Sequence, residues 1–102
     1  MKSTDIISWL EGFYRRNCDR ASNSQFEIFV TTLENCRGWS VTIDLDGTSL
    51  SGASRDQVAT ERSPDDWVRC WVKDDTWEAI GGVGNLKEIL ELFRQWVELQ
   101  NK

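Results

Sequence analysis

Residues 65–77 read DDWVRCWVKDDTW, an alternating run closed at both ends by an Asp-Asp pair. Two Asp in succession favour turns, because a short carboxylate side chain bonds its own backbone there. The seven residues between them are dominated by valine and tryptophan, which suit a pleated strand. Read at period two, Trp67, Arg69, Trp71 and Lys73 share one face, and Val68, Cys70 and Val72 share the other. Both faces carry apolar surface, so each needs a cover. Two arrangements satisfy that. Either the valine face lies under helices and the tryptophans form a surface with Phe29 and Leu33, or the tryptophans point inward and the valine face is outermost. A surface of the first kind exceeds the few hundred Å² of contiguous apolar area that monomers ordinarily leave exposed.

Working outward, residues 63–66 (SPDD) form a turn and QVATERS, residues 57–63, predicts the strand before it. DGTSLSGASRD, residues 46–56, is a Gly/Ser-rich loop. It follows WSVTIDL, residues 39–45, in which Trp39, Val41, Ile43 and Leu45 alternate strictly with Ser40, Thr42 and Asp44. ENCRG leads into that strand from QFEIFVTTLE, residues 25–34, whose Phe26, Ile28 and Val30 share a face. On the other side, Asp74-Asp75-Thr76 turns the chain into WEAIG, residues 77–81.

Helices close both ends. Ile6, Ile7, Leu10, Phe13 and Tyr14 form one stripe at helical period, with Ser3 or Thr4 as N-cap and Asp5 in the first turn. Asn85 predicts the second N-cap, with Glu88 completing a capping box ahead of Leu86, Ile89, Leu90, Phe93, Trp96 and Val97. Short connections require antiparallel pairing. The expected fold is α+β: about five antiparallel strands in one sheet, with an N-terminal and a C-terminal helix packed on it, residues 1–102 making a single domain. A meander of the second to fourth strands would bring Asp44 and Asp46 to the end of the sheet that holds Asp74 and Asp75.

The chain has 102 residues, of which 17 are acidic and 12 basic, with a net charge of −5 and no histidine. This disfavours nucleic acid and anionic membranes as ligands and suits a basic protein partner. Three scattered cysteines, with no CxxC, fit reduced thiols in a soluble cytoplasmic protein; the first residues lack the apolar run of a signal peptide.

Several motifs compete for a role. Gly81-Gly82-Val83-Gly84-Asn85 fits neither a P-loop nor a dinucleotide fingerprint, and reads as a strand-to-helix turn. Cys36-Arg37-Gly38-Trp39-Ser40 resembles the cysteine loop of rhodanese-type sulfurtransferases, but sits where a hairpin turn belongs and has only Arg37 to activate a thiol. Asp44, Asp46, Asp74 and Asp75 lack any calcium-loop spacing and are expected to be turn formers. No catalytic residue, metal or cofactor is expected.

Four runs together resemble the immunity protein 53 family: residues 9–14 (WLEGFY), 32–45 (TLENCRGWSVTIDL), 61–70 (ERSPDDWVRC) and 81–97 (GGVGNLKEILELFRQWV). The chain departs from it after Cys18-Asp19, where RASNSQFE replaces a Gly-Asp-Trp-Glu-His-like segment that members commonly carry. The resemblance implies a small bacterial cytosolic protein of polymorphic toxin systems, which binds and neutralises a cognate toxin. Many antibacterial toxins are nucleases with basic clefts, so an acidic partner would be captured quickly. Within that frame Trp67 and Trp71 are the expected anchors, and Asp65, Asp66, Asp74 and Asp75 the electrostatic rim. A small sulfurtransferase using Cys36, or a homodimer joined through the tryptophan face, are the alternatives; monomer and homodimer both remain open.

Overall fold

In the computed structural model, which describes residues 5–20 and 26–100, helix α1 (Ile6–Arg20) is followed by strands β1 (Ile28–Thr32), β2 (Trp39–Asp44), β3 (Arg55–Ser63), β4 (Asp66–Lys73) and β5 (Thr76–Gly81). Helix α2 (Leu86–Gln100) ends the order. All five strands pair antiparallel in one sheet, so the α+β expectation holds.

The spatial order is β1-β2-β5-β4-β3, not the meander of the second to fourth strands. β5, the last strand in sequence, lies between β2 and β4, and β3 is carried to the far edge. Composition explains the exchange. β3 (RDQVATERS) is the most polar strand and is exposed along nearly all its length, which an edge tolerates. β5 alternates Trp77 and Ala79, both buried, with half-buried partners, and needs neighbours on both sides. The expected meeting of acidic ends survives, because Asp44 pairs with Thr76 and Leu45 N–H donates to the Asp75 carbonyl at 2.8 Å.

One face of the sheet is covered. Val41 and Ile43 on β2, Trp77 and Ala79 on β5, and Val68, Cys70 and Val72 on β4 form one buried cluster with Ile89, Leu90, Phe93, Trp96 and Val97 of α2. Phe93 sits at its centre, with its ring centroid 5.0 Å from Trp77 and 5.1 Å from Phe13. Such offset and edge-on rings gain attraction beyond the area they bury. α1 reaches this cluster through Ile6, Trp9 and Phe13, Trp9 stacking on Phe13 at 5.4 Å. The stripe is thus rotated from the expected one: Ile7 and Tyr14 are exposed, and Trp9 and the buried Asn17 take the inner side.

The caps also differ from expectation. Ser3 and Thr4 lie outside the described residues, and Asp5 caps α1. Its Oδ1 accepts from Ile7 N–H at 3.0 Å and Ser8 N–H at 3.1 Å, while Ser8 Oγ donates to Oδ2 at 2.8 Å. The Ser8 bonds hold this carboxyl below its ordinary value. Asn85 stands at the start of α2 as expected, but its side chain faces the sheet. Its amide oxygen accepts from Trp67 N–H at 3.4 Å, and its NH2 bridges Asp66 and Glu88, each at 2.9 Å. The glycine beside it is required by a close approach: a Cβ on Gly82 would lie 2.6 Å from the Asp65 carbonyl oxygen.

Candidate functional site

The face of β4 that carries no helix is the one with the tryptophans. Trp67 and Trp71 are half-buried there, while Val68, Cys70 and Val72 are buried on the helix side. Register decides this. Val68, Cys70 and Val72 stand opposite Gly81, Ala79 and Trp77 of the central strand. Residues paired across a ladder point to the same side, so burying Trp77 forces Val72 inward and Trp71 outward.

Cross-strand rows define the surface. Trp71 stands opposite Glu78 on β5, Glu78 opposite Thr42 on β2, and Thr42 opposite Phe29 on β1. The next row runs Arg69, Ile80, Ser40, Thr31. Beyond it, at the end of the sheet where the β1–β2 hairpin turns, lies a groove of about 550 Å³ walled by Trp67, Ile80, Leu33 and Val83. Arg69 lies over the Trp67 ring, its guanidinium carbon 5.6 Å from the centroid, an attraction between a cation and the negative ring face. Arg37 and Arg69 line the same groove as Glu61 and Asp65, so it offers both signs of charge to a side chain that enters it. A larger hollow of about 830 Å³ lies elsewhere, as a furrow between the start of α1 and α2.

The four acids divide between the two ends of β4 and differ in what they do. Asp65 is exposed in the β3–β4 turn. Asp66 is engaged: Arg62 donates to both its oxygens, Nε at 3.0 Å and Nη2 at 2.8 Å, and Asn85 adds a third bond. The Arg62 bonds, then Asn85, lower its carboxyl to about 2. Arg62 also reaches Glu88, so β3, β4 and the start of α2 meet at one guanidinium. At the other end Asp74 and Asp75 both have positive φ, 55° and 59°, and close β4 to β5 as a two-residue type I′ hairpin. Asp74 is exposed. Asp75 holds the β2–β3 connection, accepting from Gly52 N–H at 2.6 Å and Ser51 Oγ at 3.2 Å. Among the described residues no group of three or more His, Cys, Asp or Glu is arranged to hold a metal ion.

Cys36 is exposed, in a short 3-10 turn (Glu34–Cys36) between the antiparallel β1 and β2, and both Asn35 and Cys36 have positive φ. Gly38 closes this turn against the strand-to-helix loop, where a Cβ would lie 1.8 Å from the Gly81 carbonyl oxygen. A loop between antiparallel strands is not the strand-to-helix setting of a sulfurtransferase cysteine. Cys70 is buried, and burial pushes its thiol above the ordinary value. Arg62 was not singled out from the sequence, although the ERSPDDW run contains it; its partners lie 4 and 26 residues away. The segment after Cys18-Asp19 that departs from the family pattern falls largely outside the described residues.

A model of the family described as immunity protein 53 matches residues 7–98, most of the chain. No curated protein and no solved structure matches it.

Proposed function

The chain belongs to the immunity protein 53 family, and from that premise we propose that it protects a bacterial cell by binding a cognate polymorphic toxin and holding it inactive, with no chemistry of its own. The helix-free sheet face is the binding surface. Trp67 and Trp71 are its anchors, and the acids at both ends of β4 form the rim. The observation that carries this is the outward placement of two half-buried tryptophans between the exposed Asp65 and the exposed Asp74. Half-buried tryptophan gives up much apolar area when a partner covers it and loses little rotamer freedom, which is why it is enriched among residues that dominate binding.

Asp65 and Asp74 would meet the partner directly. Asp66 and Asp75 act one step back, by fixing the β3–β4 turn and the β4–β5 turn in which the exposed pair is held. A net charge of −5 would steer a basic toxin, such as a nuclease with a basic cleft, toward this face. The cytoplasm is the proposed place of action; among the described residues no helix is long and apolar enough to cross a membrane.

The test is neutralisation of the cognate toxin, sought in the reading frames next to this gene, by purified variants whose circular dichroism matches the parent. Trp71→Ala and Asp74→Lys are each expected to weaken neutralisation by about tenfold or more. Full protection by both variants would remove this face from the site.

A further inference from the structure

The two edges of the sheet are built differently. β3 carries Arg55, Asp56, Glu61 and Arg62, and its pairing with β4 is interrupted by two register shifts. Charges and bulges are the devices that keep an edge strand from pairing with another chain. β1 has neither. Its sequence is IFVTT, without charge, glycine or proline, and its pairing with β2 runs without a shift from Ile28 to Thr32.

The ladder fixes which of its groups β2 leaves unused. Asp44 N–H donates to the Glu27 carbonyl, and Leu33 N–H to the Gly38 carbonyl. Antiparallel ladders alternate bonded and non-bonded pairs, so Phe29 and Thr31 bond to β2, and Ile28, Val30 and Thr32 direct their N–H and C=O groups away from the sheet. Apolar side chains gather at the same edge. Phe29 is 52% exposed and Val30 43%, and on the neighbouring helix Ile7 is 55% and Tyr14 46%. Ile7, Leu10, Tyr14 and Ile28, with Glu11 at the side, line a shallow, mostly apolar hollow of about 240 Å³ there.

We propose that β1 is the dimerisation strand of this protein: two copies pair β1 against β1, antiparallel, about a two-fold axis through Val30. The occupant is a second copy because the strand is complementary to itself. In that register Val30 meets Val30, Ile28 meets Thr32, and Phe29 meets Thr31. All are apolar or β-branched pairs of the kind that stabilise a sheet, with no charge opposing its like. Each of Ile28, Val30 and Thr32 then gives and receives one hydrogen bond. The two sheets become one, the Phe29–Trp71 row of each copy continues into the Thr31–Arg69 row of the other, and the hollows lined by Ile7 and Tyr14 come together on the helix side.

This is independent of toxin binding, since its test uses the pure chain. Sedimentation equilibrium of the full-length protein is expected to show a dimer. Val30→Lys places like charges opposite each other on the axis and is expected to raise the dimer dissociation constant by about tenfold or more. Val30→Pro deletes an N–H that β2 does not use, a substitution edge strands tolerate; it is expected to give a folded monomer. Phe29→Pro removes a bond to β2 and serves as the contrasting variant that disturbs the fold. A wild-type monomer at every concentration overturns the proposal. So does a dimer indifferent to both Val30 variants, which would place the contact on another face. A monomer whose Ile28, Val30 and Thr32 amides gain exchange protection only on adding the toxin also overturns it, and would assign the edge to a strand of the toxin.

Discussion

The two faces of β4 are made from the same eight residues yet obey different rules. Inward, Val68, Cys70 and Val72 fit against a centre of rings and are buried. Outward, Trp67 and Trp71 remain half-exposed with Arg69 and Lys73 beside them. The larger residues are on the outside. Volume and hydrophobicity alone would reverse the strand, and what prevents this is the neighbour: Trp77 on β5 already occupies the inner layer opposite Val72. Large side chains left outside in this way are available for a second surface, and small ones inside are the cost of a single large one, Trp77, at the centre.

The widest expected difference is therefore between two tryptophans. Trp77→Ala empties a fully buried site and is expected to cost about 3–5 kcal/mol of unfolding free energy. Trp71→Ala, on the outer face, is expected to cost about 1–2 kcal/mol. Urea denaturation of both variants measures this, and equal losses would break the distinction between the faces. Trp77 Nε1 is buried without a hydrogen-bond partner among the described residues, so part of what the indole contributes by packing is offset by that N–H.

A smaller effect concerns the acidic end of the outer face. Asp66 titrates near 2 in the folded protein, against an ordinary 3.8. As pH falls, the unfolded chain takes up this proton first. The stabilisation is therefore present above about pH 4 and drains away as pH falls toward 2. Asp66→Asn is expected to flatten that part of the stability-against-pH curve, read as the difference between variant and parent in urea midpoints. The same slope in both would mean that the Arg62 contact adds nothing in solution.

The gentlest probe is chemical. A bulky maleimide under native conditions is expected to modify Cys36 and to leave Cys70 unmodified until the protein unfolds, because Cys70 is on the covered face and burial disfavours its thiolate. Rapid native labelling of Cys70, located by peptide mass, would show that the inner face of β4 opens.

Much of this architecture was legible beforehand, for local reasons. Trp39 to Leu45 alternate without exception, the α2 stripe from Leu86 to Val97 is unbroken, and acidic pairs mark both ends of β4. What was not legible depends on residues distant in the chain. Periodicity assigns Trp67 and Trp71 to one face but cannot say which way that face looks, since Trp77 makes the choice across a strand pair. Nor does it show that β5 separates β2 from β4. The acids behave alike: all four read as turn residues, yet Asp66 and Asp75 are committed to Asn85 and Gly52, 19 and 23 residues away. On α1 the expected stripe holds at Ile6, Leu10 and Phe13 but not at Ile7 and Tyr14, since Phe93 on α2 draws Trp9 to the inner side.

The position of β5 has a consequence for synthesis. Of the five strands it is the last to leave the ribosome and the middle one of the finished sheet. Until it emerges, β1–β2 and β3–β4 are two separate hairpins, and isolated hairpins are at best marginally stable in water. No N-terminal fragment that stops short of β5 holds the core together. Folding must wait until β5 has emerged, so a product truncated before it, unable to form the tryptophan face or hold its β1 edge in register, is left to proteolysis rather than to half-function.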